Sequence, residues 1–173
     1  MTLLNELIEN ISKMGIKMKS NEIGKQYGEL RKKYKLPVLK EIDMEFEISD
    51  LEQTSFLLRA IIRRIAEKLD FYTTIVEETL QPDTAKLYAI HESRVFDDEE
   101  KKEMYDFYKE LMIISRKSIE VSLHGSEKEE ASFINEFMND WEKIKSRLLS
   151  YVKKMKDSWK AETDIKEDLE YLG

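Results

Sequence analysis

Apolar residues recur at helical spacing along most of this chain, and strict alternation is confined to one short stretch. Leu58, Ile62, Ile65, Leu69, Tyr72 and Val76 repeat at intervals of four and three residues, the seam geometry of coiled-coil-like packing. Leu51, Leu57, Ile61 and Ile75 widen that stripe enough to meet more than one neighbour. Further on, Met104, Tyr105, Tyr108, Leu111, Met112, Ile119 and Leu123 mark a face that also carries Ser115, Ser118 and Ser122. A serine row among bulky residues suits close helix approach. The last long stretch continues through Ile134, Met138, Trp141, Leu148, Val152, Met155 and Trp159, broken at Lys145 and flanked by Phe137, Ile144 and Tyr151. At the N-terminal side, Leu4, Leu7, Ile8, Ile11 and Met14 form one face, and Ile23, Tyr27, Leu30 and Tyr34 another. Gly15, Gly24 and Gly28 each weaken a helix by about 1 kcal/mol relative to Ala, so two helices, or one kinked near Ser20 or Asn21, are expected there.

Start and stop signals divide these stretches. Ser49-Asp50-Leu51-Glu52, Asp97-Asp98-Glu99-Glu100 and Ser126-Glu127-Lys128-Glu129 all have the form of a capping box. In that motif a short oxygen-bearing side chain accepts an early backbone N–H, and the acid three residues on reaches back to the cap. Pro37 and Pro82 stop helices, and Gly125 sits where a left-handed C-terminal residue is wanted. With Ser126 following at once, the third and fourth long helices form an antiparallel hairpin. Met44, Phe46 and Ile48 alternate with Glu45 and Glu47, which predicts an extended crossover, and Asp83 to Ser93 predicts a short helix. The fold expected is all-α, a mainly antiparallel bundle of four long helices with additional short helices. Residues 1–160 would form a single domain, with an interrupted basic segment over 1–35 and long helices over 50–81, 98–124 and 127–160. An acidic C-terminal tail covers 161–173.

Composition narrows the chemistry. Over its 173 residues the chain has no cysteine, which excludes disulfides, thiolate zinc sites and cysteine nucleophiles. The net charge is −7, which argues against a dedicated nucleic-acid binder. Polar residues interrupt Leu3 to Ile16, so it is no secretory h-region, and no apolar run is long enough to span a bilayer. A cytoplasmic protein is expected, with no membrane association. The dominance of Lys and Glu, plentiful Ile and scarce Cys, Asn and Gln match the bias of heat-adapted proteins.

Candidate catalytic groups are sparse. A ferritin-like di-iron bundle needs Glu-x-x-His pairs, whereas Tyr88 and Val121 stand three residues before His91 and His124. No catalytic, cofactor-binding or metal-ligating residue is therefore assigned. Glycine spacing matches neither phosphate-cradling motif. Two basic features remain as candidate sites for a partner or polyanion. Arg59, Arg63 and Arg64 fall within two helical turns and suit bidentate contacts to carboxylate or phosphate; the plainer reading pairs them with Glu52, Glu67 and acids of adjacent helices. Residues 143–160 carry Lys143, Lys145, Arg147, Lys153, Lys154, Lys156 and Lys160 against Asp157 alone. Cations toward a helix C-terminus also complement its macrodipole without any ligand, and the acidic tail is able to fold back and mask them. Trp141 and Trp159 read as core residues, with Trp159 the one able to project beyond its neighbours.

Phe56-Leu57-Leu58-Arg59 through Leu69, followed by Phe96-Asp97-Asp98-Glu99-Glu100, is similar to the helical domain of replication-associated GINS subunits. The similarity covers under half the chain, rests on residues that any capped amphipathic pair shows, and lacks the β-rich second domain of many such subunits, so no family is assigned on it. The leading functional expectation is a non-enzymatic interaction or assembly protein with a protein partner, a second copy of itself, or both. A nucleic-acid-associated subunit using the fourth-helix cations is the first rival. A small-ligand-binding or enzymatic bundle with a pocket near the serine row is the second.

Overall fold

The structure, a computed structural model, describes residues 22–52, 54–83 and 85–160. Helix α1 runs to residue 34 from the first described residues, followed by α2 (Leu39–Phe46), a 3-10 turn (Ile48–Asp50), α3 (Leu57–Leu80), α4 (Leu87–Arg94), α5 (Asp98–His124) and α6 (Glu127–Ser158). Among the described residues there is no strand, and the chain is all-α. No described helix is long and apolar enough to cross a membrane. The expected faces at Leu4 to Met14, the break at Ser20 or Asn21 and the 161–173 tail lie outside the described residues.

Chain contacts divide the molecule into two compact units. The first comprises the described residues of Met1–Lys68 with Lys117–Asn139. Here Ile23, Tyr27, Leu36, Ile42, Phe46, Ile48, Leu57, Ile61 and Ile65 are buried, together with Ile134 and Phe137 of α6. Phe46 meets Phe137 edge-on at 5.6 Å. The Tyr27 hydroxyl donates to the carbonyl of Pro37 at 3.0 Å, tying α1 to the segment that follows it; burial pushes this phenol up to about 12. Asn135 donates to the carbonyl of Tyr34 at 3.1 Å, and Lys68 donates to the carbonyl of Glu45.

The second unit comprises the described residues of Leu69–Arg116 with Asp140–Gly173. Its core holds Leu69, Val76, Phe96, Met104, Phe107, Leu111, Trp141, Ile144, Leu148 and Met155. Tyr151 links α5 and α6, with ring centroids 5.9 Å from Phe107 and 6.0 Å from Phe96. Tyr72 of α3 lies 6.3 Å from Trp141.

The α3 seam is as its spacing predicts, from Leu58 through Val76, with only Tyr72 half-buried. Four other local expectations need correction. The alternating stretch is not an extended crossover: Ile42 and Phe46, four residues apart, share the buried side of α2, and Met44 is 68% exposed. Glu47 then adopts a left-handed backbone (φ 52°) that ends the helix and returns Ile48 to the core. A helix end followed by a turn thus imitates a period of two.

Ser49 caps nothing at α3. Its N–H and hydroxyl donate to the Asp43 carboxylate at 2.6 and 2.7 Å, and α3 begins only at Leu57, where the apolar run starts. Asp83 opens a turn rather than a helix, accepting from Ala85 N–H at 3.0 Å, so α4 starts at Leu87.

The core stripes of α5 and α6 are each displaced from the expected ones. On α5, Met104, Phe107, Leu111, Ser118 and Val121 are buried, while Tyr105, Ile119 and Leu123 are exposed. On α6, Ile134, Phe137, Trp141, Ile144, Leu148 and Met155 are buried with Tyr151 half-buried, an unbroken four-three repeat from which Lys145 simply falls off. Val152 and Trp159 are exposed instead. Both helices carry two parallel apolar stripes, and contact with neighbours, as at Phe107 and Tyr151, selects one.

The remaining caps follow the sequence more closely. Asp97 and Glu100 form the reciprocal box, at 2.8 and 3.0 Å. Ser126 accepts from Glu129 N–H at 3.4 Å, but the Glu129 carboxylate goes to His124 at 3.1 Å instead of back to the cap. Gly125 takes φ 68°, and a Cβ there would stand 3.3 Å from an Arg59 guanidinium nitrogen. Gly125→Ala is expected to cost about 1–2 kcal/mol for the left-handed backbone alone, read as a lowered urea midpoint with an unchanged slope.

Candidate interaction surfaces

The arginine cluster lies in the first unit, on the N-terminal half of α3, and its members have different surroundings. Arg59 Nε donates to Glu130 Oε1 at 3.0 Å, and the Glu130 side chain is 5% exposed against 33% for Arg59. Phe56, itself 63% exposed, lies 5.1 Å beneath the guanidinium carbon. The Ser126 carbonyl accepts the Glu130 N–H at 2.9 Å, which sets Glu130 in the first turn of α6. Arg64 pairs with Glu67 at 3.7 Å, both side chains well exposed. Arg63 is exposed, and among the described residues no ion pair involves it. The three arginines do share the wall of one groove of about 820 Å³, together with Asp50, Glu52 and Glu67. The groove is therefore mixed in charge, and Arg59 in its wall is already bonded to the buried Glu130.

On the other side of Phe56 lies a hollow of about 420 Å³ that includes Gln26, Lys33, Gly125, Glu127 and Glu130. Lys33 and the Tyr34 hydroxyl both donate to Glu127 Oε1, at 2.7 and 2.6 Å. That bond holds Glu127 below the usual carboxylate range, and it raises Lys33. Lys117 likewise lowers Glu136 across the α5–α6 turn. Neither Glu130 nor Glu127 stood out in sequence, because acids opening a helix are commonplace. The only signal was the capping motif that places them.

The α6 cations lie in the second unit, and part of their charge is used within it. Arg147 donates to Glu110 at 2.7 Å and lies 4.3 Å over the Phe107 ring. Lys154 donates to both oxygens of Glu100 and sits 5.1 Å over Phe96. Lys160 pairs with Asp157 at 2.8 Å, and Lys156 approaches the same acid at 3.9 Å. Lys145 stands 4.0 Å from Glu142. Lys143 and Lys153 are exposed. Arg147 and Lys154 are thus paired with acids of α5, whereas Lys143, Lys153, Lys156 and Lys160 are exposed.

Trp159 ends this stretch. It is 53% exposed, stacks on His91 at 4.2 Å and donates from Nε1 to Glu92 at 2.9 Å. Ser158 donates to the Met155 carbonyl at 2.6 Å, so the 3.2 Å contact with His91 Nε2 is one in which the imidazole N–H donates. Of the serine row, Ser118 is buried, Ser115 and Ser122 are half-buried, and the Ser122 hydroxyl donates to the Ser118 carbonyl at 2.7 Å. Among the described residues, no group of three or more His, Asp or Glu side chains is arranged to hold a metal ion.

Compared with known proteins, the chain matches no family model, no curated protein and no solved structure.

Two outcomes follow from these pairs. Arg59→Ala strands a buried carboxylate and is expected to cost about 3 kcal/mol in chemical denaturation, while Arg59→Met with Glu130→Leu recovers most of it. Glu100 is held below its ordinary 4.5 by Lys154 first and the Asp97 N–H second. A depressed acid stabilises the fold above its unfolded value and loses that contribution as pH falls. The penalty of Glu100→Gln is therefore expected to be present at neutral pH and to fade on acidification below 4.5.

Proposed function

We infer that this chain is a non-enzymatic helical interaction or assembly protein that self-associates, its four long helical stretches forming a mainly antiparallel bundle. One observation carries this reading: α5 has an apolar flank that its own core does not use. In the first unit, Ile119 and Leu123, four residues apart and so on one face, are 48% and 81% exposed. Water contact at such positions forgoes roughly 1.5–3 kcal/mol per fully buried side chain, which a second copy would recover. The nucleic-acid reading has less support, since Arg147 and Lys154 already serve α5 carboxylates.

Light scattering after size exclusion is expected to give twice the chain mass of 20.6 kDa. The double change Ile119→Lys with Leu123→Lys is expected to return the monomer. A monomer at every concentration of the unaltered chain would reject self-association.

A further inference from the structure

On the solvent side of the last turns of α6, lysines and apolar residues alternate in one strip. Leu149, Val152, Lys153, Lys156, Trp159 and Lys160 fall within about 120° of helix circumference at 3.6 residues per turn. Leu149 and Val152 are 60% and 41% exposed. The Lys156 and Lys160 side chains are 62% and 68% exposed. Arg147 and Lys154, held by α5, lie off this strip.

The chain continues directly from the end of the strip. Residues 161–173 hold five acids (Glu162, Asp164, Glu167, Asp168 and Glu170) against Lys166, and carry Ile165, Leu169 and Leu172 at intervals of four and three. We propose that this C-terminal segment docks back along the strip of its own chain. Its carboxylates would meet Lys153, Lys156 and Lys160, and its apolar residues Leu149, Val152 and the free edge of Trp159.

Three features favour this occupant over a phosphate backbone. Charge is complementary, and apolar side chains sit between the cations where a phosphodiester chain has nothing apolar to offer. Thirteen residues also reach about 20 Å even at helical rise, enough to run back along 149–160. Asp157, at the edge of the strip, already holds Lys160 at 2.8 Å, so the segment must share that lysine. The proposal is independent of self-association, because the contact lies within one chain.

The lack of cysteine makes the test clean, since Gly173→Cys in the full chain gives a single attachment point for a nitroxide. The spin label is expected to broaden amide resonances of residues 149–160 in a nitrogen-15 spectrum. That broadening is expected to weaken as salt rises, and to be lost with Lys153→Glu and Lys156→Glu in a protein whose other resonances are unchanged. A mixture of labelled unenriched chain and enriched unlabelled chain should show none. Broadening that appears only in the mixture would assign the contact to a second copy and overturn the proposal. It would also be overturned if the strip is unaffected by the label and its resonances move only on addition of a short DNA duplex.

Discussion

Burial of one continuous apolar stripe per helix is the constraint on which the remaining features rest. Along α6 the stripe runs from Ile134 through Phe137, Trp141, Ile144, Leu148 and the half-buried Tyr151 to Met155, with spacings of three and four residues throughout. Each such side chain removed from water contributes on the order of 1.5–3 kcal/mol. Ion pairs between exposed groups contribute far less, because water solvates their charges well in the unfolded chain. Apolar packing therefore decides which face of each helix turns inward, and the charged residues adjust to what is left outside.

That ordering explains why the charges of this chain have two kinds of role. Where a lysine or arginine borders the buried stripe, it lies over an aromatic ring and reaches an acid of the next helix: Arg147 over Phe107 to Glu110, Lys154 over Phe96 to Glu100. Such contacts fix the sliding register of α5 against α6 within the second unit. Arg59 goes further, because its partner Glu130 is buried. Its value is less in net stability than in the penalty for any arrangement that leaves Glu130 alone. Where a cation lies beyond the reach of α5, as Lys153 and Lys156 do, it remains available to another segment or molecule.

A second consequence is surplus apolar surface. Both α5 and α6 carry more apolar positions than one helix face can bury, and the unused ones (Leu123, Ile119, Leu149, Val152) are exposed on flanks adjoining the core stripe. Scattered exposed apolar residues are ordinary on any surface. Those of the last turns of α6 are set apart by the lysines interleaved with them on the same side of the helix.

The sequence by itself determined the helical character of the chain, the α3 seam, the reciprocal cap at Asp97 and Glu100, and the left-handed turn at Gly125. These are local matters, settled within a few residues by periodicity, hydrogen-bond reach and backbone sterics. It also located the basic residues. Only the tertiary structure decided which of two apolar stripes on α5 and α6 becomes core, because both satisfy helical spacing and the choice depends on what lies opposite. It turned the alternation at Met44 to Ile48 into a helix end, since Phe46 gains burial against Phe137. It also separated cations paired inside the fold from those left exposed, because an ion pair between helices needs an acid brought near from elsewhere in the chain.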